Sequence, residues 1–308
     1  MRPSKTRIHR GLVGERMLVG SGYLSQTDLR QEYENEIAPR TEAALRRVLE
    51  QVGLAPDRPR RVLDLGAGTG AVGRALRGCF GEDVEVVAVD RVPGPGILVA
   101  DVLRSVRPAG VSGRFDLIVS AHLLNELGSR LDLDGRALLV AGWCRDLLEP
   151  DGTCIVVESA LRDTSRALLG VRDRLLAAGL CVAAPCFCRT ACPALQHERD
   201  WCHDSAEVLV AGRSRVDFSY LVLRRSAAAG IDADRYRVVS DPIKDKGRLR
   251  FFVCGAAGRF ELMRLNRDRS AANQALDQVR RGDIIVLPNA PAHDDSIRVV
   301  GDTAVGIG

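Results

Sequence analysis

The sequence predicts an α/β protein built on a doubly wound, mostly parallel sheet, followed by a small β-rich C-terminal domain. Three observations carry this. Apolar strand-like runs alternate with helical segments between residues 61 and 178, as in a parallel sheet covered on both faces. The first run, Val62-Leu63-Asp64-Leu65, passes into Gly66-Ala67-Gly68-Thr69-Gly70 and then directly into a helix. Beyond residue 227 the long helical stretches stop and short β-like runs take over.

In chain order, the stretch 23–53 keeps Leu29, Tyr33, Ile37, Leu45, Val48 and Leu49 near a helical spacing, and Pro56, Asp57 and Pro59 end it. Strands are expected at 61–65, 84–89, 97–100, 115–120 and 154–157, with helices at 71–77, 137–148 and 166–178. Glu149-Pro150-Asp151-Gly152 stops the second of these helices, and Gly179 suits the C-cap of the third. A loop rich in Cys and Pro at 184–203 leads to a strand at 218–224. The tail has β-like runs at 236–239, 248–253, 260–265 and 284–287, which suit a small barrel-like domain. The expected division is a basic arm and helical segment at 1–58, the main α/β domain with the cysteine loop at 59–226, and the β-rich domain at 227–308.

A hydrophobic content of 46% and a charged content of 27% are those of an ordinary soluble globular protein. No apolar run approaches the length of a membrane span, so no membrane role is expected. The start is basic (Arg2, Lys5, Arg7, Arg10) but lacks the apolar core of a secretory signal. An Arg-rich, acid-poor start also fits an organellar transit peptide, but this one is poor in Ser, and the cytoplasm is the expected compartment. A formal charge of +4 says little about partners. Clusters say more: Arg224 and Arg225, then Lys244, Lys246, Arg248 and Arg250, then Arg264, Arg267 and Arg269. Such clusters suit phosphate contacts, although solvated strand and helix faces look the same in sequence.

The chemistry begins at the glycine turn. Gly66, Gly68 and Gly70 permit a tight turn and a close approach of backbone to a ligand, with a helix N-terminus beyond. Asp64 precedes the turn, Asp90 ends the next strand where it could accept both ribose hydroxyls, and Asp101 closes the third where it could accept from an adenine amino group. A nicotinamide fingerprint would want Gly-x-Gly-x-x-Gly; this chain has Gly-x-Gly-x-Gly. Strand, glycines, strand, Asp, strand, Asp resembles the class I S-adenosylmethionine methyltransferases over residues 60–225. That resemblance implies S-adenosyl-L-methionine as cofactor, bound by Asp64, Gly66, Gly68, Gly70, Asp90, Asp101 and Ser120. The substrate edge is expected at Ser120-Ala121-His122-Leu123-Leu124-Asn125-Glu126-Leu127, beyond the fourth strand. His122, Asn125 and Glu126 are the catalytic candidates there. For His122 a helix-start or core role competes with that of a base, and Glu126 could simply support the loop. Neither the Asn/Asp-Pro-Pro-aromatic signature of amine methylation nor a Pro-Cys nucleophile stands at this edge.

Nine cysteines in a cytosolic-looking chain argue for reactive or metal-bound thiols rather than disulfides. Cys79, Cys144, Cys154 and Cys181 stand singly among apolar residues and read as core. Cys186, Cys192, Cys202 and the remote Cys254 give four thiolates that a fold could bring together. Their spacing lacks the paired knuckles of a zinc ribbon and suits an iron–sulfur cluster better, with zinc and unliganded cysteines as the alternatives. Ala184-Pro185-Cys186, Cys192-Pro193, Trp201-Cys202-His203, Asp217-Phe218-Ser219-Tyr220-Leu221 and Cys254-Gly255 resemble the methyltransferase-like assembly factors of the small ribosomal subunit in mitochondria and bacteria. The resemblance runs over roughly residues 20–285. It implies a [4Fe–4S] cluster on Cys186, Cys192, Cys202 and Cys254, and a partner in the small ribosomal subunit and its rRNA. The family's Pro-His after the first cysteine is Phe187-Cys188 here, which makes Cys188 a candidate substitute ligand. The competing expectation is a methyltransferase of small molecules with a structural metal site.

Overall fold

The computed structural model describes residues 6–53, 59–210, 212–226, 233–288, 292–293 and 295–308. Arg2, Lys5, Pro56, Asp57 and the boundary expected at 227 lie outside the described residues. From Thr6 onward the basic arm is packed rather than free. Helix α1 (Arg7–His9) runs into a wide turn at Arg10–Gly14 and buries Ile8. A tight turn at Tyr23–Ser25 precedes α2 (Thr27–Glu36) and α3 (Ala38–Val52). The continuous helix expected over 23–53 is divided at Ile37. Pro39 in the first turn of α3 has no N–H to donate to the turn before it, so a new helix starts there.

Strand β1 (Arg61–Leu65), helix α4 (Ala71–Phe80), β2 (Glu85–Asp90), β3 (Ile97–Val99) and β4 (Phe115–Ala121) follow. A single turn of helix, α5 (Leu123–Glu126), leads to α6 (Leu133–Asp146). Helix α6 begins ahead of the expected residue 137 because Asp132 caps it, accepting from the Gly135 amide at 2.7 Å. The Pro150–Gly152 stop is absorbed into a long strand, β5 (Leu148–Ser159), through a bulge opposite Phe115 and Leu117. Helix α7 (Arg162–Ala177), β6 (Cys181–Ala184), β7 (Asp204–Val210) and β8 (Arg213–Arg224) complete the first layer. Strands β6 and β7 have no counterpart among the sequence expectations.

The strand order is β3-β2-β1-β4-β5-β8-β6, with β7 also paired to β8. From β3 to β5 all neighbours are parallel. Strand β8 is antiparallel to β5, β6 and β7. This follows from connectivity: Val210 of β7 sits opposite Arg213 of β8, and a hairpin can pair only antiparallel. One face buries Trp143, Leu168 and Leu175 from α6 and α7, and the other buries Leu45, Val48, Leu76 and Phe80 from α3 and α4. Cys144, Cys154 and Cys181 are buried as expected, but Cys79 is exposed, on the outer side of α4.

A second sheet holds β9 (Arg235–Val238), β10 (Ile243–Asp245), β11 (Arg248–Gly255), β12 (Gly258–Leu265), β13 (Ile284–Val286), β14 (Ala292–His293), β15 (Ser296–Val299) and β16 (Gly306–Ile307). Its order runs β14-β15-β12-β11-β9-β13-β16. Among the described residues β14 and β16 do not pair, so this is an open sheet and not the barrel-like unit expected. Leu249, Phe251 and Val253 alternate inward along β11 onto Leu262, Ile285 and Ile297.

Arg237 joins the two sheets. Buried on β9, it donates to the carbonyls of Pro185 at 2.8 Å and Gly282 at 2.7 Å, and to Gln51 Oε1 at 3.2 Å. Gln51 Oε1 keeps the Tyr220 hydroxyl as donor, but losing Arg237 takes the donor from the Pro185 and Gly282 carbonyls, each costing about 1–3 kcal/mol. Arg237→Met should therefore lower stability by about 3 kcal/mol in denaturant unfolding and make the tail the first segment cut in limited proteolysis.

Candidate functional site

The glycine turn lies beyond the carboxyl end of β1, at the edge where ligands of open α/β sheets bind. Gly66, Gly68 and Gly70 take φ values of 79°, 56° and 80°, the left-handed region that side chains resist. The Gly66 and Ala67 amides donate to Val89 O at 2.9 and 3.0 Å. The Asp90 carboxylate fastens the loop further, accepting from the Gly68 amide at 2.9 Å and the Val92 amide at 2.8 Å. A Cβ on Gly68 would stand 3.3 Å from Leu24, and one on Gly66 3.2 Å from Leu123.

Gly66, Gly68, Asp90, Asp101, His122 and Glu126 converge on one cleft. Asp101 accepts from the Leu103 amide at 2.9 Å and from Arg130 at 3.3 Å. Burial alone would raise its carboxyl, but these partners outweigh burial and hold it below the ordinary value. Asp64, Gly70 and Ser120 stay outside the lining. Gly70 is the N-cap of α4, and Ser120 is fully buried with no partner for its hydroxyl. Asp64 is buried too, with neither carboxylate oxygen hydrogen-bonded. Burial, with the Asp90 charge added, pushes it up to about 8, so it is neutral at pH 7.

The N-terminal segment supplies what sequence reasoning missed. Tyr23 and Tyr33 wall the cleft, and the Tyr23 hydroxyl donates to Glu126 Oε1 at 2.9 Å. Burial pushes both tyrosines up and keeps them protonated. Their signal in the sequence was two aromatic residues with polar tips in an otherwise charged helical stretch. Burial raises Glu126, and the same burial lowers His122 to about 4, so its imidazole is neutral. His122 sits at a φ of 61° as the N-cap of α5. The expected helix-start position is therefore correct, and the ring still faces the cleft.

Past Tyr23, His122 and Glu126 lies a second cavity of about 330 Å³. Leu12 and Val13 line it, Asn125 comes from α5 and Ser159 from the end of β5, and Trp201 and His203 line it too. Asn125 is fixed on both sides. Its amide donates to Glu158 Oε1 at 3.0 Å, and its side-chain oxygen accepts from Arg16 and from Thr164 at 3.3 Å.

Cys186, Cys192, Cys202 and Cys254 line a common cavity between the loop and β11, and Cys188 lines it too. Burial raises all four thiols, and their mutual proximity raises Cys192, Cys202 and Cys254 further, Cys192 and Cys202 to about 12. Cys188 turns to Thr190 instead, Sγ to Oγ1 at 3.0 Å. Arg172, buried on α7, donates to the carbonyls of Cys188 and Thr190 and shapes the loop. Among the described residues no group of three or more His, Cys, Asp or Glu side chains is disposed to hold a metal ion. Four thiols around one cavity are a donor set that suits a tetrahedral zinc ion and an iron–sulfur cluster alike.

The tail's basic clusters are mostly answered internally. Asp245 takes Arg248 at 3.2 Å and Arg250 at 2.5 Å, while Asp277 takes Arg264 and Arg269. Lys244, Lys246 and Arg267 are exposed and make no ion pair among the described residues. Among those residues no helix is long and apolar enough to cross a membrane.

An antiparallel β8 between β5 and β6, with a glycine turn facing two acids, defines the class I S-adenosylmethionine methyltransferase fold. Residues 31–284 match the family described as mitochondrial small ribosomal subunit Rsm22, and the chain belongs to that family. No match was found among curated proteins. Among solved structures, the N-methyltransferase NodS from Bradyrhizobium japonicum WM9, in complex with S-adenosyl-L-homocysteine, is similar at 17% identity and a TM-score of 0.43, over 67% of this chain and 95% of that one. The ribosomal protein L11 methylase from Lactobacillus delbrueckii subsp. bulgaricus gives 17% and 0.36, over 60% and 79%. The glycopeptide N-methyltransferase MtfA gives 15% and 0.37, over 59% and 89%. At such values nothing about substrate or chemistry follows from the likeness.

Glu158 is buried beneath Asn125, and burial pushes its carboxyl up to about 8. The folded state therefore holds a proton that the unfolded chain gives up near 4.5, and the stability it contributes is lost as pH rises from about 4.5 to about 8. Asp64 contributes in the same direction. Glu158→Gln keeps the acceptor for the Asn125 amide without the charge. Its unfolding free energy should fall less steeply over that window than the wild type's, as denaturant titrations at several pH values would measure.

Proposed function

We propose that the chain is an S-adenosylmethionine-binding, [4Fe–4S]-containing methyltransferase-like protein that acts on or binds small-subunit rRNA in ribosome assembly or translation, in the cytoplasm. The observation that carries this is the convergence of Gly66, Gly68, Asp90 and Asp101 on one cleft, in a chain whose family is described by the small ribosomal subunit. Asp90 and Asp101 stand at the ends of successive strands, where ribose hydroxyls and an adenine amino group would be received. The cleft's interior is about 60 Å³, well under the roughly 300 Å³ at which small-molecule sites begin. Cofactor entry would therefore have to displace side chains of the lining, among them Leu24 and Leu123, which stand beside Gly68 and Gly66. His122, neutral, and Glu126 lie on the wall shared with the second cavity, where a proton released by an acceptor would be taken up.

Cys186, Cys192, Cys202 and Cys254 would hold the cluster. When bound, it supplies a covalent cross-link between the loop of the first sheet and β11 of the second. Its role is structural, since four protein thiolates leave no open iron. RNA would meet Lys244, Lys246 and Arg267, which make no ion pair among the described residues. The apolar lining of the second cavity favours a second reading, a small-molecule acceptor, and co-sedimentation with small ribosomal subunits decides between the two. Sedimentation with the subunit supports the first reading, and none at low salt overturns it.

Gly68→Arg should abolish binding of S-adenosylhomocysteine in calorimetry, because the side chain occupies the space the ligand needs; equal affinity in wild type and variant refutes the cofactor assignment. Changing Lys244, Lys246 and Arg267 together to Gln should flatten the salt dependence of rRNA binding, since fewer counterions are released. Protein purified without oxygen should be brown, with about four irons per chain. Cys254→Ser should lose the colour and expose the tail to protease while retaining S-adenosylhomocysteine binding. Stoichiometric zinc without iron would reject the cluster.

A further inference from the structure

This inference rests on the reading of the glycine cleft as a cofactor site and concerns what lies beside it. The second cavity, about 330 Å³, has the size of an ordinary small-molecule site, roughly 300–1,000 Å³. One side is aromatic. The Trp201 and His203 rings stack with centroids 6.1 Å apart and planes inclined by 23°, and Phe218 lines the cavity next to them. Two polar atoms on the lining are shut off from solvent with no partner among the described residues: the Ser159 hydroxyl oxygen and His203 Nδ1. A hydroxyl and an imidazole nitrogen can each give or accept a hydrogen bond. Left unanswered in a buried site, both are destabilising until a ligand or water meets them. The aromatic pair is also held firmly. Cys202, between the two rings, has its carbonyl taken by the hydroxyls of Ser165 at 2.5 Å and Ser219 at 3.0 Å.

We propose that this cavity is a nucleobase subsite, in which one planar base lies against Trp201 and His203 with its polar edge toward Ser159 and His203 Nδ1. Flat aromatic walls combined with atoms that both give and accept hydrogen bonds match a heteroaromatic ring, which presents a π-face and a mixed edge. An aliphatic acid would want an unpaired cation, and both arginines on this lining have partners of their own, Arg215 with Asp217 at 2.6 Å and Arg40 likewise engaged. The base has two possible sources, a free nucleoside or an unstacked residue of single-stranded RNA. A base in RNA would have to leave its stack to enter.

The chain has two tryptophans. Trp143 is fully buried in the core and Trp201 is 39% exposed, so a base arriving beside Trp201 changes the emission of that one ring. The protein, saturated with S-adenosylhomocysteine, is titrated with adenosine, cytidine, guanosine and uridine, and with short single-stranded oligoribonucleotides. A saturable quench is expected. Calorimetry on Trp201→Ala should show base binding weakened roughly 5–150-fold, the loss of one stacked ring, with S-adenosylhomocysteine affinity retained. Ala160→Phe fills the cavity from the end of β5 without touching the cysteine loop and should abolish base binding in the same way. Tighter binding of oligonucleotides than of nucleosides supports the subsite with RNA as the source; equal binding supports it with the free nucleoside. No saturable quench while S-adenosylhomocysteine binds, or undiminished base affinity in both variants, overturns the subsite. Failure of S-adenosylhomocysteine itself to bind overturns the cofactor reading and this inference with it.

Discussion

Strand β8 is the constraint on which the rest of the molecule depends. Three strands pair with it antiparallel: β5 along its second half, β6 near its end and β7 along its first half. Because β6 and β7 are the two ends of the cysteine loop, fixing both on one strand closes that loop at a defined place. Phe218 faces Ser159 on one side and Asp204 on the other. That register carries the Trp201–His203 pair to the end of β5, beside the cavity that adjoins the glycine cleft. A parallel strand in this position would need a crossover connection, and the loop's two ends could not then meet on it.

The ligand edge itself is crowded with carboxyls. Asp64, Asp90, Glu126 and Glu158 lie close enough to influence one another, and burial keeps Asp64 and Glu158 protonated near neutral pH. Asp90 and Asp101, with amide or guanidinium partners, hold the loops open toward the cleft. Division of labour among acids of one type is set by the balance of partners against burial. The partners of Asp101 hold it below the ordinary value, whereas at Asp64 and Glu158 burial prevails, at Glu158 even over the bond from the Asn125 backbone amide.

Polar contacts tie the second sheet to the first. Arg237 reaches Pro185 beside the first cysteine, and Arg259 of β12 reaches Asp200 beside Trp201. Cys254 faces Arg259 in the ladder between β11 and β12, so the fourth thiol enters the loop at the same place. The cysteine cavity is therefore the junction between the two sheets, and its state bears on the wall of the neighbouring aromatic pair.

The sequence by itself determined the parallel half of the sheet, the glycine turn and the acids at the ends of β2 and β3. These features are local: an apolar run, positive φ values and a carboxylate at a strand end are written in contiguous residues. It also singled out the four cysteines and the residues of the substrate edge. Strands β6 and β7 were hidden, because β6 is only four residues long and β7 is half-polar, and each is stabilised by β8 rather than by its own pattern. The roles of Tyr23 and Arg16 were hidden for a related reason: they reach the site across more than a hundred residues of chain, to Glu126 and Asn125. Exposure of Cys79 and pairing of the tail arginines to Asp245 and Asp277 likewise depend on which face an element turns outward. Only tertiary structure decides which distant groups share a cavity, because burial and pairing are properties of neighbours in space and not of neighbours in sequence.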